Sequence, residues 1–356
     1  MGKQHRRRSH QGSTEAGGSG PATQAGFDRG NAFAQEQLAE RSGSTSSKGG
    51  TWQVLGQSFG TLQALHDWLV TESQNPGSTV PHEPVLNVRL AGNKVVQRQQ
   101  TTWTYYSPNQ RLVIDGQGAT VTGRNKGRPT PGWFLSYRPV VQSTESAPAK
   151  ANFEMRGLTV RGYESGGVEL SPQSAPGEAN RYDGGYSAFI EGALIENNRF
   201  EKLGSKDTPT GETSYAEGRF GAAGVLMRGV SDSTVAGNSF EDLENDEVRG
   251  SKWGPRLIHA IYARDRSSNN RFEDNRFKDI SGDPIRLSNA SNDNTITGNR
   301  SRNAGLRTMV SEFYNSGSTR REQDSTGNRV FGNDRGKRYG KNKRVKKFHE
   351  KQVDGG

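Results

Sequence analysis

Cysteine is absent from the 356 residues, so no disulfide staple, thiol nucleophile or thiolate metal site is available. No run of 18 apolar residues occurs either, which excludes a membrane-spanning helix. Apolar residues are scarce throughout, 29% of the chain beside 46 glycines, a share that in an ordinary globule would indicate disorder. A solenoid escapes that inference, because each rung of its thin core needs few inward side chains. Also lacking is any basic excess in the body. Of the formal +10, residues 1–10 supply +4 through Lys3, Arg6, Arg7 and Arg8, and residues 334–356 supply +6 from nine basic residues against Asp334, Glu350 and Asp354. That leaves 35 charges of each sign between 11 and 333, so the body is not expected to present a nucleic-acid surface. The start has a charged front with no apolar segment behind it. Neither a general-secretory nor a twin-arginine signal is complete, and the expectation is a cytoplasmic protein or one exported by a non-classical route.

Residues 1–50, rich in Gly, Ser, Gln and Thr, read as a disordered polar and basic leader with one short helix at 31–40. Folded sequence begins near Thr51. Phe59, Leu62, Leu65, Trp68 and Leu69 recur at helical spacing and stop before Asn75-Pro76-Gly77, which predicts an amphipathic helix over 59–70 with His66 packed near its apolar face. Beyond 335 the chain is expected to end as a solvated basic tail, 336–356.

Between these ends one pattern dominates. Asn198, Asn238, Asn275, Asn299 and Asn333 each follow an apolar residue by three positions: Ile195, Val235, Phe272, Ile296 and Val330. Two residues after the first four stand Phe200, Phe240, Phe277 and Ser301, and five after stand Leu203, Leu243, Ile280 and Ala304. Of the 24 Asn in the chain, 16 lie between 180 and 333, so Asn is a structural element of the repeat. The expected rung is a short strand ending inward, an Asn taking a left-handed conformation at a sharp corner, and a second strand beginning inward with Phe. Stacking such rungs places Asn over Asn and Phe over Phe, with side-chain amides bonding along the stack. Helical periodicity is missing from this region, which argues against helical repeats.

The run Arg111-Leu-Val-Ile-Asp-Gly-Gln-Gly-Ala-Thr-Val-Thr-Gly123, the Ile195-to-Phe200 type repeats and Ser281-to-Leu287 followed by Asn294-to-Asn299 resemble the right-handed parallel β-helix proteins of the pectate-lyase-like superfamily. The resemblance spans roughly 51–335 and implies an all-β, single-stranded right-handed parallel β-helix with an N-terminal capping α-helix. It says little about activity, because that superfamily holds lyases, hydrolases, esterases, tailspikes and inert scaffolds. It also implies that a substrate lies along the sheet flanked by the longest loops. Here the insertions are 204–220, 244–256 and 315–327, on both edges of the sheet containing Val225–Met227, Leu257–Tyr262 and Pro284–Leu287.

With Val168, Val225, Ile261, Ile285 and Val310 taken as equivalent inward positions, the next residues, Glu169, Leu226, Tyr262, Arg286 and Ser311, point outward. Two further along come Ser171, Arg228, Arg264, Ser288 and Phe313. An arginine floor requires an anionic ligand or nearby acids, of which Asp265, Asp283 and Glu312 are candidates. The leading expectation is a polysaccharide lyase acting on an acidic polysaccharide by β-elimination. Tyr262, Arg286 and His259 would be catalytic, Asp283 an orienter or cation ligand, and Arg228, Arg264, Arg256 and Trp253 substrate-binding. Acids in the 244–256 loop, Asp246 and Glu247, could hold Ca²⁺ through oxygen ligands. The alternative is a non-enzymatic glycan-binding or scaffold solenoid, a cargo or tail component of a contractile injection or phage-like system. Hydrolysis is disfavoured because paired carboxylates are missing from the groove strands. Gly116-Gln-Gly118 is not a dinucleotide site, since Val121 stands where a third Gly is needed.

Overall fold

The computed structural model describes residues 49–124, 127–140, 152–172, 190–206, 221–245, 256–315, 322–341, 343 and 352–354, all within one compact unit, Lys48–Gly356. The leader expected at 1–50, with its helix at 31–40, lies outside them apart from Gly49 and Gly50.

Three long sheets build the unit: sheet A with ten strands, sheets B and C with eight each. A rung takes one strand from each in turn, as in Arg271–Glu273 (A), Arg276–Ile280 (B) and Ile285–Ser288 (C). Each strand pairs in parallel with its equivalents one rung before and after. This is the expected all-β right-handed solenoid. Its register follows the sequence repeat position by position. Ile195, Val235, Phe272, Ile296 and Val330 are successive neighbours in sheet A. Phe200, Phe240, Phe277 and Ser301 are successive neighbours in sheet B.

Inside, the Phe200 and Phe240 rings stack 5.0 Å apart, and Phe240 and Phe277 lie 5.6 Å apart. Sheet C makes room for them with glycine: a Cβ on Gly224 would come within 2.6 Å of the Phe240 ring, and one on Gly167 within 2.5 Å of Phe200. The core is thus a column of aromatics facing small residues, which explains how so few apolar residues fill it.

At the corner between sheets A and B the amides do what the pattern implied, with one correction. The ladder asparagines are not the left-handed residues. That conformation belongs to the residue before each: Asn197 (φ 54), Gly237 (φ 64), Asp274 (φ 56), Gly298 (φ 68) and Gly332 (φ 63). The reason is division of labour. The preceding residue turns the chain, which frees the Asn side chain to point inward and satisfy the backbone groups the turn buries. Asn275 Oδ1 accepts from the Asn238 amide N–H (3.0 Å) and Nδ2 (3.1 Å), while its own Nδ2 donates to the Val235 carbonyl (2.8 Å) and Asn299 Oδ1 (3.0 Å). The same bonds recur from Asn198 to Asn333. A second ladder, five residues earlier in each rung, runs through Ser233, Asn270, Asn294 and Asn328 at the corner entering sheet A.

The N-terminal edge of sheet C is capped by a helix. The helix spans Leu62–Ser73, so it begins three residues later and ends three residues later than the spacing predicted. Thr61 caps it, Oγ1 accepting from the Ala64 N–H at 3.1 Å, and Phe59 instead ends a strand, Gln57–Phe59, hairpinned to Thr51–Val54. Polar side chains of the helix occupy the open edge of the first sheet C strand, Thr101–Trp103. Gln63 Oε1 accepts from the Thr102 N–H (2.9 Å), and His66 Nε2 accepts from the Thr104 N–H (3.0 Å). His66 is therefore a packed, fully engaged residue, as expected. At the other end, Gln352–Asp354 pairs in parallel with the last long strand of sheet C, Val310–Asn315.

Each ladder amide buried in mid-stack makes about four hydrogen bonds, each contributing on the order of 1 kcal/mol net. Asn275→Ala is expected to cost roughly 3 kcal/mol or more of stability, and Asn333→Ala, half-exposed at the last rung, markedly less; denaturant titration of both variants measures the difference.

Candidate functional site

The outer face of sheet C was the expected floor, and the register confirms which residues share it. Glu169, Leu226, Tyr262, Arg286 and Ser311 are neighbours in one row, and Arg228 and Arg264 in the next. A bulge precedes the row. The Pro284 carbonyl accepts from both the Ala260 and Ile261 N–H groups, at 2.9 Å each, so two successive residues face the core. His259, just before the bulge, is thereby turned to the same outer side as Tyr262, their rings 5.3 Å apart edge to face. Tyr262 also packs on a small apolar cluster separate from the core: Trp133, Ala223 and Leu226.

Three of the four residues expected to be catalytic come together. Arg286 Nη1 stands 3.5 Å from His259 Nε2, and the Arg286 guanidinium lies 5.9 Å from the Tyr262 ring centroid and 4.3 Å from that of Phe313. The Tyr262 hydroxyl is 3.2 Å from Ser288 Oγ. Asp283 joins through its backbone: its carbonyl accepts from His259 Nδ1 at 2.7 Å. Its carboxylate is turned away, accepting from the Leu306 N–H (3.0 Å) and Arg307 N–H (3.4 Å) of the next rung's turn. A carbonyl only accepts and a guanidinium only donates, so both bonds require a neutral ring with the proton on Nδ1. Burial, then the Arg286 charge, drive the His259 pKa down from 6.5 to about 3 despite the bond to Asp283.

The arginine column is less cationic than its composition suggested. Asp265, fully buried at the end of the strand His259–Arg264, takes Arg228 Nε at 3.1 Å and Arg264 Nε at 3.0 Å on one carboxylate oxygen, and Asn289 Nδ2 at 2.8 Å on the other. Glu322 adds a second acid to Arg264 at 3.5 Å. Burial pushes the Asp265 carboxyl up, but Arg264, Arg228 and the Asn289 amide outweigh it, and its pKa ends below the ordinary value. Arg228 and Arg264 are thus neutralised within the fold, whereas Arg286 has no carboxylate partner among the described residues.

Glu312 is not a floor acid. It stands in register with inward-facing Leu287, is buried, and accepts from Asn328 Nδ2 at 3.1 Å. Arg256 is exposed in the turn ahead of His259–Arg264. Trp253, Asp246 and Glu247 lie outside the described residues, and the Ca²⁺ expectation with them. Among the described residues, Glu241, Asp242 and Asp279 bring carboxylate oxygens within 4.8 Å of one another, but on sheet B and with Lys278 already ion-paired to Glu241 and Asp279. Missed in the sequence were Ser288 as partner of the Tyr262 hydroxyl, Asn289 and Glu322. Asn289 follows Asp265 by 24 residues, the same interval that separates Asn275 from Asn299, so the repeat carried the signal. Glu322 follows an insertion and had none.

No helix among the described residues is long and apolar enough to cross a membrane. A family model described as right handed beta helix region matches residues 147–346. No curated protein matches the chain. Among solved structures, the Streptococcus pneumoniae surface protein and adhesin PfbA is 13% identical with a TM-score of 0.31, over 71% of this chain and 73% of that one. A second PfbA structure gives 12% and 0.36, over 82% and 72%. ORF18 of Geobacillus virus E2 gives 12% and 0.30, over 95% and 66%. Likeness this remote says nothing about ligand or activity.

Because the folded His259 resists protonation, the unfolded chain binds its proton first. Stability should therefore be full above pH 6.5 and fall as pH drops from 6.5 towards about 3. His259→Gln is expected to flatten that decline, as followed by thermal midpoints across the range.

Proposed function

Since this chain belongs to the right-handed β-helix family, whose members share a scaffold and not one activity, we propose that it binds an acidic polysaccharide on the outer face of sheet C. The observation that carries this reading is Arg286: a cation on the floor, without a carboxylate partner among the described residues, set between the Tyr262 and Phe313 rings. A guanidinium so placed offers a planar fork to a uronate carboxylate, while the rings beside it suit the apolar face of a sugar. Arg228 and Arg264, locked on Asp265, shape the floor and leave Arg286 as the principal charge contact.

Elimination is the second reading, favoured by the contact of Tyr262, Arg286 and His259. Arg286 would neutralise the uronate carboxylate, and Tyr262, acting as its phenolate, would take the C5 proton and pass it to the departing O4 oxygen as the C4–O bond breaks and the C4=C5 double bond forms. Binding is the better supported of the two, because His259 is buried with both ring nitrogens occupied, and the Asp283 carboxylate is engaged elsewhere. Neither the leader nor the tail adds an argument for a role in an injection machine or phage particle.

Losing a charge-assisted contact costs on the order of tenfold or more in affinity. Arg286→Ala should weaken binding of polygalacturonate or alginate by that factor, and Arg286→Lys should restore part of it, with neutral dextran binding neither. Equal affinity of wild type and Arg286→Ala for every uronate polymer tried would remove the proposal. Ultraviolet absorbance of an unsaturated uronate in the same mixtures would move the protein to the lyase reading.

A further inference from the structure

Sheets A and B carry a charge pattern that the sheet C site does not use. Several of their outward cations are matched by acids: Arg156 by Asp115 and Glu154, Arg161 by Glu201, Arg271 by Glu273. Where like charges fall in register, a bridge offsets them. Glu201 and Glu241 are direct neighbours on adjacent strands, and Arg199 spans both, with Nε 2.7 Å from one and Nη2 2.8 Å from the other.

On two adjacent strands of sheet B, Arg276–Ile280 and Arg300–Ala304, Lys278 pairs with Glu241 and Asp279 but three arginines are left over. Arg276 is in register with Arg300, and Lys278 with Arg302, so like charges stand one rung apart, about 4.8 Å at the backbone. Like charges directly opposite on neighbouring strands are destabilising. Arg276, Arg300 and Arg302 are exposed, and none of the three side chains has an ion-pair or hydrogen-bond partner among the described residues. Asp334, in register with Arg300, forms no ion pair with it, and Asp279 is taken by Asn303 and Lys278.

We propose that this face is a second, independent binding surface for a linear acidic polysaccharide running along the solenoid axis, its anions taking the bridging place that Arg199 fills between Glu201 and Glu241. Three features choose this partner. The three arginines span two successive rungs along the axis, which suits consecutive units of a chain. Their repeat of one rung is close to the length of one sugar unit, which suits one anion per residue. No aromatic or large apolar side chain is exposed on these two strands, so the face has nothing to stack on bases or to enter a bilayer.

The test titrates dextran sulfate against the full chain at several salt concentrations. The triple variant R276E/R300E/R302E, and R276Q/R300Q/R302Q as a gentler form, should each bind at least tenfold more weakly and lose about three from the slope of log affinity against log salt, with the thermal midpoint retained. In the Arg286→Ala background, which removes the sheet C contact, the same triple substitutions should cost the same three units of slope, which separates this surface from the sheet C site. Wild-type affinity in both triple variants overturns the proposal. So does binding of duplex DNA or of phosphatidylserine vesicles that matches dextran sulfate and is lost in the same variants, since the face would then recognise charge of any kind.

Discussion

The amide of asparagine at the corner between sheets A and B is the interaction on which the rest depends. A chain that turns sharply into its own interior buries backbone donors and acceptors where water cannot reach them, and each left unmet costs on the order of 1–3 kcal/mol. Asparagine answers with one acceptor and two donors on a short, stiff side chain. Because its Oδ1 takes the preceding rung's main-chain N–H and its Nδ2 returns to a carbonyl, correct stacking satisfies every corner at once. A slip of one residue would satisfy none. Register in the three sheets, and so the identity of the residues that face outward from sheet C, follows from that requirement.

The charge arrangement follows the same logic at the surface. With strands held one rung apart, a side chain cannot avoid its neighbours above and below, and the protein mostly alternates sign or inserts a bridge. Asp265 is the most deeply set of these bridges, a buried carboxylate shared by two arginines and an asparagine. Arg286 on sheet C and Arg276, Arg300 and Arg302 on sheet B are left without a carboxylate partner among the described residues.

Much of this was legible in the residues. The spacing of five asparagines carried the parallel solenoid, the inward row and the outward row, because a parallel stack converts sequence period directly into spatial neighbours, while its right hand was implied by the family resemblance alone. Local backbone shape was less legible: the left-handed position was assigned to Asn198 and its equivalents when it falls one residue earlier, since Asn, Gly and Asp all tolerate that shape and the pattern alone does not say which one turns. Side-chain direction at strand ends was hardest. Asp283 and Glu312 belong to the right strands, yet one carboxylate caps a neighbouring turn and the other faces inward, choices set by contacts on adjoining rungs and not by period. Residues after insertions, such as Glu322, break the count altogether.

The closure at the N-terminal end has a consequence for assembly. Gln63 and His66 fill hydrogen-bonding positions that another strand of sheet C would need, so this end of sheet C offers no free template for strand addition. At the far end, Arg329–Phe331 has no neighbour beyond it among the described residues, and Phe331 is 48% exposed. Sheet C therefore has a polarity of growth built in: its last strand, Gln352–Asp354, has no neighbour beyond it among the described residues, and anything that lengthened the sheet by backbone pairing would begin there.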